Sequence, residues 1–119
     1  MALLARARIA SALLVALVAA VMLSTVLDYG MTGDEGVQHR YARRVLHWYG
    51  TLGADRSAVA EEDISMYGAF FEGLAEAAAS VSPLDPYETR HIVNVLFAVA
   101  ALVAALSMGR RLAGELGGV

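Results

Sequence analysis

The chain has 119 residues, 58% of them hydrophobic, and a mean hydropathy of +0.55, against roughly 45–50% apolar usage in soluble domains. Length therefore allows one domain, and composition points to a membrane protein. Lysine is absent, the nine arginines are scattered and the net charge is -3, which argues against a nucleic-acid-binding face, while the lack of cysteine excludes disulfide frameworks, thiolate zinc sites and cysteine nucleophiles.

After Arg6 and Arg8, the segment from Ile9 to Leu27 carries no charge over 19 residues. As a helix it would rise about 28 Å, enough to cross a bilayer, so the first transmembrane helix is predicted over 9–29. A cleaved signal peptide is the alternative, but its apolar region usually runs about 7–15 residues, and no clean small-x-small cleavage site precedes Asp28. Ala12, Ala16, Ala20 and Ser24 form a stripe of small residues on which another helix could pack. Asp28, Tyr29 and Gly30 then end the span.

Thr32-Gly33-Asp34-Glu35 fits a capping box, with the Thr32 hydroxyl accepting from the Glu35 amide and the Glu35 carboxylate reaching back to the Thr32 amide. It predicts a helix over about 33–50. In it Val37, Tyr41, Val45 and Trp48 share one face, while Gln38, Arg40, Arg43, Arg44 and His47 occupy the others. Gly50 and Gly53 are plausible stops. Glu61, Glu62 and Asp63 read as a solvated helix start. A second amphipathic helix is predicted over about 64–81, with Tyr67, Phe70, Phe71, Leu74, Ala78 and Val81 on an apolar face and Glu72 and Glu76 on another. Gly68 and Gly73 lower its intrinsic propensity, so it needs tertiary or membrane support.

Pro83 and Pro86 break that helix, and Asp85 as cap with Pro86 at the first helical position and Glu88 three after the cap starts the next. The second span lies within a helix predicted over 86–112, uncharged from Ile92 to Gly109 and closed by Arg110 and Arg111. Ala101, Ala105 and Gly109 give it a small-residue stripe of its own. Arginines at Arg6, Arg8, Arg110 and Arg111 favour cytoplasmic placement of both termini in the inner membrane. Between Asp28 and Arg90 eleven acidic residues face five arginines. The fold expected is an all-α membrane protein, with two transmembrane helices joined by an extracytoplasmic loop bearing two amphipathic surface helices.

Asp34 and Glu35, adjacent carboxylates just past a membrane exit, could act as general base or hold a metal or hydroxylated substrate; they could equally serve only as dipole complement and cap. His39 lies four residues after Glu35, a spacing that can share a divalent cation if a third ligand such as Asp34 or His91 joins. Arg40, Arg43 and Arg44 form a cationic patch suited to lipid phosphate or to interfacial anchoring.

The order of these features over roughly residues 9–112 resembles the amino-terminal portion of the GT-C membrane glycosyltransferases, the superfamily of protein O-mannosyltransferases and related bacterial polyprenyl-phosphate-sugar enzymes. The resemblance is carried by Asp34-Glu35 within GDEGVQHRYARRVLHWYGTLGAD, and by Tyr67-Gly68 and Glu88-Thr89-Arg90-His91 within YGAFFEGLAEAAASVSPLDPYETRHIVNVLF. It implies inverting transfer of a sugar from a polyprenyl-phosphate donor to an acceptor at the extracytoplasmic face. Asp34 would orient or deprotonate the acceptor, Glu35 would assist by holding the helix start or, in members that use one, a divalent metal, and Arg90 and His91 would have positional roles near the interface. Complete members have many more spans, so the expectation is an amino-terminal fragment, inactive without the remaining transmembrane helices of its parent. The alternative is a stand-alone two-span assembly subunit that docks other membrane helices.

Overall fold

The computed structural model describes residues 2–60 and 64–114. The acidic run Glu61, Glu62, Asp63 lies outside them, as does the tail from Glu115. The described residues are helical without strands: α1 (Ala2–Thr25), α2 (Glu35–Gly50), a single 3-10 turn (Ser65–Tyr67), α3 (Phe70–Ala79) and α4 (Pro86–Ala113). The chain separates into two compact units, one of Met1–Asp28 with Asn94–Val119, the other Tyr29–Val93.

In the first unit α1 runs 24 residues, and α4 runs 28 residues counted from Pro86 in the other unit, so they rise about 36 Å and 42 Å. Both are long and apolar enough to cross a membrane. Their hydroxyl side chains turn back on their own backbone: Ser11 Oγ donates to Ala7 O, Ser24 Oγ and Thr25 Oγ1 to Val21 O, and Ser107 Oγ to Val103 O. Such bonds let an apolar helix carry serine and threonine without stranding a donor. The small-residue stripes do not form the packed surface. Ala12, Ala16, Ala20 and Ser24 are exposed, as are Ala101 and Ala105, whereas Ala7, Ser11 and Val26 of the first segment and Val95 of α4 are buried. Leu13, Leu17, Val21, Leu96 and Val103 also point outward.

The second unit is built on the pairing of α2 with α3. Tyr41, Val45 and Ala58 form its buried core, with Trp48, Ile64 and Ala69 packed around them. The α2 apolar face thus turns inward through its middle, while Val37 at its start is exposed. Gly73 is buried where α3 meets α2, and a Cβ there would sit 3.2 Å from Val45 Cγ1. The glycine that weakens α3 in isolation is what permits the helices to approach.

α3 is shorter than the 64–81 reading. Gly68 adopts φ +88, a left-handed conformation that ends the 3-10 turn and separates it from Phe70. Its apolar face is not the packed one: Tyr67, Phe70, Leu74 and Val81 are exposed, and Gly73 and Ala75 are buried instead.

At its other end α2 closes as a Schellman turn, Gly53 N–H donating to Trp48 O at 2.8 Å and Leu52 N–H to Tyr49 O at 3.1 Å. The left-handed position that glycine usually takes is held by Leu52, φ 52. Thr51 and Asp55 then order the connector: Thr51 Oγ1 donates to His47 O and accepts from the Asp55 amide, and Asp55 Oδ1 accepts from the Ser57 amide at 2.7 Å. Those hydrogen bonds from Ser57, with His47 and Arg44 nearby, hold the Asp55 carboxyl below the usual aspartate range.

Candidate functional site

Two capping boxes bracket the second unit, and they close differently. At α4, Asp85 Oδ1 accepts from the Tyr87 amide at 2.9 Å while Glu88 Oε2 accepts from the Asp85 amide at 3.2 Å, so both directions are made. At α2 only the return bond forms, from Thr32 N–H to Glu35 Oε2 at 2.7 Å. The Glu35 amide donates to the Thr32 carbonyl rather than the hydroxyl, and Asp34 stands at the N-cap position without a side-chain cap bond. The Asp34 backbone is already helical, φ -93 and ψ -20. The turn has therefore begun before the residue whose side chain should cap it, and the Asp34 carboxylate remains outside the box.

The two adjacent carboxylates consequently have opposite fates. Glu35 is 7% exposed; one oxygen accepts from Thr32 and the other lies 2.6 Å from His91 Nε2. An ionised carboxylate only accepts, so Nε2–H is the donor in that state. Asp34 is exposed, and among the described residues its carboxylate makes no hydrogen bond or ion pair. It lines a cavity of about 600 Å³ with Gln38, Tyr67 and Glu72, a volume within the range of small-molecule sites, about 300–1,000 Å³.

Behind that cavity runs a wired polar layer. Arg90, on the first turns of α4, is buried, and its Nη2 donates to Glu72 Oε2 of α3 at 2.5 Å and to Gln38 Oε1 of α2 at 3.1 Å. Its guanidinium also stacks over Phe71, 5.2 Å from the ring centroid. His39 Nδ1 lies 2.8 Å from Glu76 Oε2, and its ring leans on Tyr87. Tyr29 meets His91 edge-on at 6.2 Å. Three helices are thus cross-linked through side chains that a continuous hydrophobic core would otherwise supply.

Several of the sequence-predicted residues have partners that their spacing did not specify. Arg90 and His91, expected at a substrate or lipid-phosphate interface, are engaged internally by Glu72, Gln38 and Glu35. The Glu35–His39 pairing is not made, because each turns to a different partner, and among the described residues no three acidic or histidine side chains converge on a metal position. The residues present do not fit a divalent ion at Glu35 and His39. Arg40 and Arg43 are exposed on α2, and Arg44 is half-buried. The cavity residues Gln38, Tyr67 and Glu72 were not among the predicted site residues. Glu72 and Glu76, four apart on an otherwise apolar helix, were the signal that α3 faces polar partners.

Family profiles, characterised proteins and solved structures show no match to this chain.

Proposed function

We propose that this chain is the amino-terminal part of a membrane glycosyltransferase of the GT-C kind, which transfers a sugar from a polyprenyl-phosphate donor to an acceptor at the extracytoplasmic face. The observation that carries the reading is the division of labour between the adjacent carboxylates. Glu35 is occupied with Thr32 and His91, whereas Asp34 presents a carboxylate to a cavity of small-molecule size.

In this reading Asp34 accepts a hydrogen bond, then the proton, from the attacking acceptor hydroxyl, while Glu35 and His91 hold the turn that aims it. Inverting displacement needs such a base opposite the departing phosphate. The remaining transmembrane helices of the parent enzyme supply the donor-phosphate site, so this chain is inactive alone. The resemblance in residues 9–112, centred on Asp34-Glu35 and on Arg90-His91, supports the assignment of chemistry. The outward apolar faces of α1, α4 and α3 are compatible with spans in the bilayer and a surface helix beside it.

The test is Asp34→Asn in the full-length parent, assayed for lipid-linked sugar transfer. The rate should fall by roughly 10²–10⁴, the usual contribution of a general base, with folding unaltered. Undiminished transfer removes the assignment. Glu35→Gln should instead lower stability by about 1–2 kcal/mol by weakening a buried charge-assisted bond. Topology is tested separately: Thr51→Cys should label from outside the cell and Ala113→Cys only after permeabilisation, and the reverse pattern inverts the orientation.

A second reading, a two-span assembly subunit, rests on the same exposed span faces. Ala16→Leu and Ala105→Leu, both on outward positions, should then break a recoverable complex with other membrane helices. A folded, monomeric wild-type chain counts against it.

A further inference from the structure

Within the unit formed by α1 and the C-terminal part of α4 there is a groove of about 370 Å³ whose lining changes character along its length. Arg8 and Arg110 line it together with Ser11 and Ser107, and its apolar walls include Ala16 and Leu106. Ser11 and Ser107 commit their hydroxyl hydrogens to Ala7 O and Val103 O. Arg110 Nε is buried and has no hydrogen-bond partner among the described residues. A guanidinium nitrogen in that position calls for an acceptor oxygen.

We infer that this groove binds an anionic glycerophospholipid, its phosphate held by the Arg110 guanidinium at the end of the groove that Arg8 also lines, and its upper acyl chain lying along the Ala16 and Leu106 walls. Charge complementarity selects phosphate, because guanidinium donors match its oxygens in a fork. The apolar walls on two membrane-length helices select a lipid over a soluble phosphate, and basic pockets between spans are a recognised form of headgroup site. This inference rests on the membrane placement of α1 and α4 but not on the transferase chemistry, and it uses none of the residues around Asp34.

The experiment reconstitutes the whole chain in nanodiscs of phosphatidylcholine doped with phosphatidylglycerol and counts retained lipid by native mass spectrometry after mild extraction. Wild type should retain phosphatidylglycerol over phosphatidylcholine, and Arg110→Gln should weaken that preference roughly tenfold, the loss of one forked ion pair. Arg110→Lys keeps the charge but not the fork and should also lose most of the preference, whereas Arg56→Gln, at an exposed arginine of the connector after α2, should retain it. Equal retention of both lipids by wild type, or full retention by Arg110→Gln, overturns the site. Retention by Arg110→Lys reduces it to non-specific attraction and overturns the forked geometry. Displacement of the lipid by millimolar inorganic phosphate overturns the lipid as occupant. Failure of the chain to enter nanodiscs at all would instead overturn the membrane placement.

Discussion

The two units of this chain solve the same problem with different materials. The Tyr29–Val93 unit joins its helices through side-chain bonds, Arg90 to Glu72 and Gln38, His91 to Glu35 and His39 to Glu76, around a small core of Tyr41, Val45 and Ala58. The α1 unit spends its polar groups on its own helices and leaves large apolar side chains outward. Water rewards burial of apolar surface, and a unit with only a few buried aliphatic residues needs specific polar links to choose one arrangement. A helix whose backbone is self-satisfied needs no such links in an apolar solvent. The comparison therefore predicts that single polar substitutions break the second unit and barely touch the first.

Its largest test is Arg90→Met. Removing the guanidinium leaves the partly buried Glu72 without its cation, and loss of one partner of a buried pair costs about 3–5 kcal/mol, so a loss of about 2–4 kcal/mol is expected here. Unfolding followed by the single Trp48 should show it, and a loss under about 1 kcal/mol would mean that the apolar contacts alone hold the unit.

Next comes Gly73→Val. Val45 Cγ1 stands 3.2 Å from where a Cβ on residue 73 would lie, so the extra methyls must push α3 from α2, at about 1–3 kcal/mol. Gly73→Ala should be near neutral, since its gain in helix propensity, about 1 kcal/mol, offsets a milder contact. Denaturant midpoints of the two variants decide whether close approach or propensity governs that position.

Alkaline pH probes the core. Burial, with the charges of Glu72 and Tyr49 adding to it, raises the Tyr41 phenol above its ordinary value. The fold thus favours the neutral phenol; that contribution is complete below about pH 10, where the unfolded phenol titrates, and is lost as pH climbs through the raised folded value. Stability should fall as pH rises above about 10, and Tyr41→Phe should flatten the fall.

The smallest effect should be a gain. Leu52 is 96% exposed at φ 52, so its side chain contributes little packing to offset a strained backbone. Leu52→Gly should stabilise the unit by about 0.5–1 kcal/mol, read from the same midpoints.

Particular residues show how far the sequence is legible. Two uncharged runs flanked by arginine mark α1 and α4, because span length and composition are local properties. Asp85-Pro86 with Glu88 marks the start of α4 for the same reason. The Thr32 box is only half legible: its residue types are right, but backbone conformation at Asp34 decides which side chain caps and which stays outside. The facing of α3 is not legible, because amphipathicity shows that a helix has two faces and not which face meets a neighbour; the close approach at Gly73 and the charges of Glu72 and Glu76 settle that. The candidate site shows in the sequence as an Asp34-Glu35 pair, and the cavity that Asp34 lines does not.

What the sequence by itself determined is where helices and apolar spans lie, since hydropathy, capping residues and prolines act within a few positions of themselves. What only the tertiary structure decided is which polar groups find each other. Glu35 meets His91 across 56 positions and Gln38 meets Arg90 across 52, distances over which no periodicity carries information. That pairing withdraws Glu35, Arg90 and His91 into the frame and leaves Asp34, among the described residues, as the cavity-lining carboxylate without an ion-pair partner, because a buried charge must be partnered and an exposed one need not be.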